Sequence, residues 1–163
     1  MSKISPCLWF DGQAEEAAAL YTSLFPNSRI ERVNRSPGET PSGPEGMVLT
    51  VDFTLDGEPF IALNGGPDFQ FSEAVSFSID CEDQAEVDRY WDALIADGGE
   101  PSVCGWLKDR FGVSWQIASA ELHRMMGKGS PEQVAAVTQA FLPMKKLDLA
   151  ELRRAYTTAG ASH

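Results

Sequence analysis

The chain has 163 residues, 43% of them hydrophobic and 10% aromatic, with a formal net charge of −11. That length supports one well-buried domain, or two small modules sharing a core. The negative charge repels phosphate backbones and excludes nucleic acid as an expected partner, and no apolar run approaches the roughly twenty residues that span a bilayer.

The opening Met1-Ser2-Lys3 leads straight into strand-like sequence, Ile4-Ser5-Pro6-Cys7-Leu8-Trp9-Phe10, without a signal-peptide core, so a cytoplasmic protein is expected. A helix follows, capped by Asp11 or Gly12. It places Ala14, Ala17, Ala18, Tyr21, Leu24 and Phe25 on one face and ends at Pro26-Asn27. Residues 29–33 alternate as a short strand. Residues 36–46 hold three prolines and three glycines and have little reason to keep one conformation. Residues 47–55 form the clearest strand: Met47, Leu49, Val51, Phe53 and Leu55 point one way, and Val48, Thr50, Asp52 and Thr54 the other. Asp56-Gly57 is a hairpin turn, and Phe60-Ile61-Ala62-Leu63 is the returning strand.

The order then repeats. Gln13-Ala14-Glu15 returns as Gln84-Ala85-Glu86, each time after an apolar strand, and the second is Val75-Ser76-Phe77-Ser78-Ile79. A helix capped by Asp83 buries Val87, Tyr90, Trp91, Leu94 and Ile95 and stops at Gly98-Gly99. Strands are expected at 101–104, 106–110 and 113–118. The remainder reads as helical, with starts at Ser130-Pro131-Glu132 and Asp148. The expected organisation is therefore a single domain over 1–163, of class α+β. Its parts are two βαβββ modules (3–66 and 73–119) and a C-terminal helical extension (120–160) available to bury against the body or a second subunit. Cys7, Cys81 and Cys104 lack metal-site spacing and read as reduced, buried thiols.

Three runs narrow the reading: Leu8-Trp9-Phe10-Asp11-Gly12-Gln13-Ala14-Glu15-Glu16-Ala17, Leu24-Phe25-Pro26-Asn27-Ser28, and Gly105-Trp106-Leu107-Lys108-Asp109-Arg110-Phe111-Gly112-Val113-Ser114-Trp115-Gln116. Together with Lys146-Leu147-Asp148-Leu149-Ala150-Glu151-Leu152 they resemble the PhnB-like branch of the vicinal oxygen chelate superfamily. That superfamily includes glyoxalase I, extradiol dioxygenases and bleomycin-resistance proteins. Members of the branch are often labelled 3-demethylubiquinone-9 3-methyltransferase. The resemblance implies cupped mixed sheet from two modules enclosing a cavity, and a homodimer, sometimes with exchanged modules.

It also implies where a divalent metal would be held, by His and Glu on the outer strands of the modules. Here those positions fall at Gln116 and near Ala74, with Ala62 and Asn64 as candidates on the strand ending module one. None is a His or a carboxylate, and a neutral amide is a poor ligand for zinc, nickel or iron. The histidines, His123 and His163, both follow the last repeat strand. No metal is expected. Nor is an S-adenosylmethionine site, because neither strand–helix junction carries a glycine-rich turn; no cofactor is expected at all.

The expected ligand-binding residues are Thr50, Asp52, Asn64, Ser76, Ser78, Trp106, Ser114 and Gln116. Asp52 is the candidate base, or holds a cationic ligand, against the reading of a structural carboxylate paired with Arg or an amide, or wet at the rim. Gln116 binds a ligand oxygen or is satisfied by neighbouring strands; Asn64 projects into the cavity or makes a turn. Thr50, Ser76, Ser78 and Ser114 share one parity and form a polar lining, with no His or Lys placed to activate a serine. Trp106 near a turn touches the ligand or the core, while Trp9 and Trp115 read as core, Trp115 under a helix. The expectation is a metal-free protein binding a small molecule in the cavity between paired modules. The alternative is an enzyme acting on a small oxygenated or quinone-like substrate with Asp52 as base.

Overall fold

The computed structural model describes residues 2–161, so His163 lies outside the described residues. The chain divides into two compact units, Met1–Phe71 and Ser72–His163.

The first unit runs β1 (Cys7–Phe10), α1 (Ala14–Leu24), β2 (Arg29–Arg35), β3 (Val48–Leu55) and β4 (Glu58–Asn64). The sheet order is β1-β4-β3-β2, with β1 parallel to β4 and the other neighbours antiparallel. Alternation decides the faces. Leu8, Phe10, Val51, Phe53, Leu55 and Ala62 are buried together with Ala14, Ala17, Ala18 and Tyr21 of α1. Three alanines let the helix lie close to the sheet, and the rings of Tyr21 and Phe53 meet 6.4 Å apart. Asp56 and Gly57 both take positive φ, 49° and 82°, as a tight hairpin requires.

Two local expectations change here. Neither Asp11 nor Gly12 caps α1; the N-cap is Gln13, with no side-chain bond of its own. Asn64 does the capping, its Oδ1 accepting from Ala14 N at 2.9 Å while its Nδ2 donates to Val48 O at 2.9 Å. The 36–46 loop also holds a defined form. Ser36 N donates to Met47 O, Gly46 N to Ser36 O, and Thr40 and Gly43 pair reciprocally through their backbones.

The second unit repeats the plan: β5 (Ser76–Cys81), α2 (Gln84–Ile95), β6 (Glu100–Pro101), β7 (Trp106–Lys108) and β8 (Ser114–Ser119), in the order β5-β8-β7-β6. Again the first and last strands are parallel. Asp83 caps α2 through Glu86 N, and Val87, Tyr90, Trp91 and Leu94 are buried. Two middle strands are shorter than their alternation predicts. Cys104 and Gly105 turn the chain with φ of 59° and 84°, which confines β6 to Glu100–Pro101. β7 stops at Lys108 because Asp109 folds the next turn around itself. Its buried carboxylate accepts from Phe111 N at 2.9 Å, Val113 N at 3.0 Å and Trp115 Nε1 at 2.9 Å.

The extension forms α3 (Ala120–Lys128), α4 (Pro131–Phe141) and α5 (Leu149–Ala161), which belong to the second unit. Ser119 caps α3, Ser130 and Gln133 form a capping box at α4, and Asp148 accepts from Glu151 N at α5. The segment before α5 is fastened to the repeat. Cys104 N and Gly105 N donate to Met144 O and Lys145 O. The Gln84 amide brackets the start of α5, donating to Leu147 O at 3.0 Å and accepting from Leu149 N at 2.9 Å. Leu147, 2% exposed, sits over Gly105, where an added Cβ would come 3.2 Å from its Cγ.

Asp109→Ala strands three donors, two of them buried. The expected cost is roughly 2–4 kcal/mol of unfolding free energy, read from urea denaturation at constant m-value.

Candidate functional site

Each sheet has one face under its helix and a far face turned the other way, and side chains on the far faces are not committed to the core. In the first unit the register lines up two cross-strand rows: Trp9, Leu63, Thr50 and Asn34, and beside them Cys7, Ile61, Asp52 and Arg32. The polar half is wired together. Arg32 reaches Asp52 Oδ2 from Nε at 3.2 Å and from Nη2 at 3.1 Å. Asn34 Nδ2 donates to Thr50 Oγ1 at 2.9 Å and to the same Asp52 oxygen at 3.3 Å. Trp9 forms the apolar half, its indole N–H donating to Gly66 O at 2.8 Å and its ring lying edge-on to Phe69. Trp9 is therefore a half-buried far-face residue rather than helix-side core.

Asn64 and Ala62 are not on this face. Ala62 pairs with Val51 and faces α1, as does the buried Asn64; Ile61 and Leu63 occupy the far face of β4. The Asn64 amide is consumed by the helix cap and the β3 backbone, which corrects its expected place in the ligand-binding lining.

In the second unit β5, β8 and β7 align two rows. One is Ser76, Ser114 and Lys108; the other is Ser78, Gln116 and Trp106. Five of the expected residues thus share one sheet face. Gln116 Nε2 donates to Ser76 Oγ at 2.9 Å. Ser114 is 2% exposed, and its Oγ has no hydrogen-bond partner among the described residues. Trp115 has the opposite parity, packs on Phe77 and bonds Asp109, as alternation requires.

Lys108 was missed by the sequence reading, which found no lysine beside the serines. Cross-strand register puts it directly opposite Ser114. Its ammonium pairs with Glu73. The hydrogen bond and charge of Glu73 hold the Lys108 pKa above its ordinary value, so the amine stays protonated and cannot serve Ser114 as a base. Asp109 was missed too: only the fold shows that Phe111, Val113 and Trp115 all aim donors at it.

The far-face positions on the outer strands are Cys7, Trp9, Ile61, Leu63, Ser76, Ser78, Asp80, Ser114, Gln116 and Ala118. Asp80 is the single carboxylate, and it pairs with His123 Nδ1 at 3.1 Å with both side chains more than half exposed. Among the described residues no three His, Cys, Asp or Glu side chains come together as a metal site. The donor set does not fit a zinc, nickel or iron centre. The thiols differ from expectation as well: Cys81 is buried, Cys7 exposed and Cys104 intermediate. Burial, with Glu86 and Asp80 nearby, pushes the Cys81 pKa up to about 12, which leaves it unreactive.

Two four-stranded mixed sheets of identical strand order, each with one crossover helix, define an α+β protein built from two βαβββ units. A family model described as 3-demethylubiquinone-9 3-methyltransferase matches residues 2–118, and the chain belongs to this PhnB-like family. The PhnB protein from Bacillus cereus is 37% identical over 73% of this chain and 100% of its own, with a TM-score of 0.66. Protein PA1353 from Pseudomonas aeruginosa shares the fold at 21% identity, over 73% of this chain and 98% of its own, with a TM-score of 0.60. A glyoxalase-related enzyme from Fulvimarina pelagi matches at 13% identity, over 74% of this chain and 91% of its own, with a TM-score of 0.48. No match was found among curated proteins.

The Arg32–Asp52 pair is largely solvent-exposed, at 72% and 30% of side-chain area. Asp52→Asn is therefore expected to cost no more than about 1 kcal/mol in thermal or urea unfolding.

Proposed function

We propose that this protein binds a small oxygen-bearing molecule without a metal, on the far face of its second sheet. The observation that carries the reading is Ser114. A buried hydroxyl without a partner is costly, and native proteins keep few of them. This one lies in a row with Ser76 and Lys108 and next to Gln116, so a ligand oxygen placed there would gain a donor that the fold leaves unspent. Gln116, half-buried and already oriented by Ser76, offers its carbonyl oxygen beside it. Trp106, opposite Gln116, supplies an apolar surface for the rest of the molecule.

The alternative, an enzyme acting on a small oxygenated or quinone-like substrate with Asp52 as base, draws less support. Asp52 Oδ2 already accepts three hydrogen bonds, two of them from Arg32, and taking a proton there would release these partners. Methyl transfer, which the family's description suggests, lacks a Rossmann-type cofactor turn: the strand–helix junctions read Phe10-Asp11-Gly12-Gln13 and Cys81-Glu82-Asp83-Gln84.

A homodimer and a cytoplasmic location belong to the same proposal. The first is supported by Ile30 and Val33, exposed on the edge strand β2. The second is supported by three free cysteines. No described helix is long and apolar enough to cross a membrane.

Ser114→Ala tests the site. Removing an unsatisfied hydroxyl is expected to leave stability unchanged or raise it by up to about 1 kcal/mol, while affinity for hits from a panel of small carbonyl and quinone compounds falls about tenfold. Hits that bind the variant as tightly as the parent would overturn the placement. Stoichiometric zinc, nickel, manganese or iron in protein purified without chelator would overturn the metal-free reading.

A further inference from the structure

The C-terminal helices lie beyond the 2–118 stretch that the family model matches, so the family assignment gives them no role. They carry a second concave feature. Glu121, Arg124, Met125 and Lys128 recur at helical spacing on α3, Arg153, Tyr156 and Thr157 do so on α5, and together they line a cleft of about 400 Å³. That size lies in the range of small-molecule sites, roughly 300–1,000 Å³.

Its charge is opposite to that of the chain. Arg153 is joined to Glu121 by a two-pronged interaction, with Nη2 2.8 Å from Oε2. This pair is neutral overall, and it fixes one guanidinium in place. Arg124 and Lys128 stand one helical turn apart with no hydrogen-bonded or ion-paired partner among the described residues, so the cleft is lined by three cations, Arg124, Lys128 and Arg153, against the one carboxylate of Glu121. The Arg153 hydrogen bond, with the Arg124 charge adding to it, holds the Glu121 carboxyl below its ordinary pKa. Met125, 8% exposed, and the half-buried Tyr156 ring supply apolar lining, and the Thr157 hydroxyl is a further donor. Two cations over an apolar floor suit a compact anion with a hydrophobic body. They are too few to hold a nucleic acid against a net charge of −11.

We propose that the α3–α5 cleft is a binding site for a small organic anion, one whose carboxylate or phosphate meets Arg124 and Lys128 while its apolar part lies on Met125 and Tyr156. It is separate from the far-face site and does not depend on it.

The test is a titration of the full chain with 1-naphthyl phosphate and 1-naphthoate, followed by backbone amide NMR, with 1-naphthalenemethanol as the neutral control. Both cations are exposed, so R124Q/K128Q is expected to fold normally, which its thermal unfolding checks. The expected result is shifts concentrated in α3 and α5 for at least one anion, weakened about tenfold in R124Q/K128Q and by added salt, and at least as strongly in the neutral compound. Binding by only one anion supports the site and identifies the head group. The proposal is overturned if neither anion shifts α3 and α5, if the alcohol binds as well as the acids, or if R124Q/K128Q binds unchanged. Shifts confined to the β5–β8–β7 face would overturn it while leaving the far-face reading intact.

Discussion

A parallel strand pair cannot be closed by a tight hairpin; the chain must cross over, and a helix is the economical way to do so. In both units the first and last strands are parallel neighbours, and the intervening helix lies over one face of the sheet. That constraint divides every strand. Residues of one parity are held under the helix and carry the core, while residues of the other are left for another purpose. Val51, Phe53, Trp115 and Ile117 serve the first role. Thr50, Asp52, Ser114 and Gln116 take the second.

The same division explains why buried polar groups behave so differently here. Asp109 and Asn64 are polar, buried and fully employed: one gathers the β7–β8 turn, the other ties the start of α1 to the end of β4 and the start of β3. Each connects segments that a hydrophobic contact alone would leave free to slide. Ser114 is equally buried and unemployed. A polar group that costs free energy without holding the fold together is the feature on which the proposed ligand site rests.

Much of the fold was legible because the sequence is locally consistent. Period-two alternation in 47–55, the Asp56-Gly57 turn, and the returning Gln-Ala-Glu each specify structure within a few residues. Parity on β3 and β8 placed Thr50, Asp52, Ser114 and Gln116 correctly on the far faces. The errors came where distant residues decide. Asn64 looked like turn chemistry until Ala14 and Val48 met it, and the strand after Gly99 was cut short by positive φ at Cys104 rather than by a proline or glycine alone. Gln84 illustrates the limit well: its repeat identity marks the helix start, yet its amide is spent on Leu147 and Leu149, more than sixty positions away.

The proposed site depends on adjacent residues of β8 being placed oppositely, Ile117 in the core of the unit and Gln116 on the far face. The most direct measurement pairs Ile117→Ala with Gln116→Ala in urea unfolding. The buried Ile117, 0% exposed, is expected to lose roughly 2–5 kcal/mol on truncation, and the half-buried Gln116 less than about 1 kcal/mol. A Gln116→Ala variant as unstable as Ile117→Ala would contradict the account, because it would place the far face in the folding core.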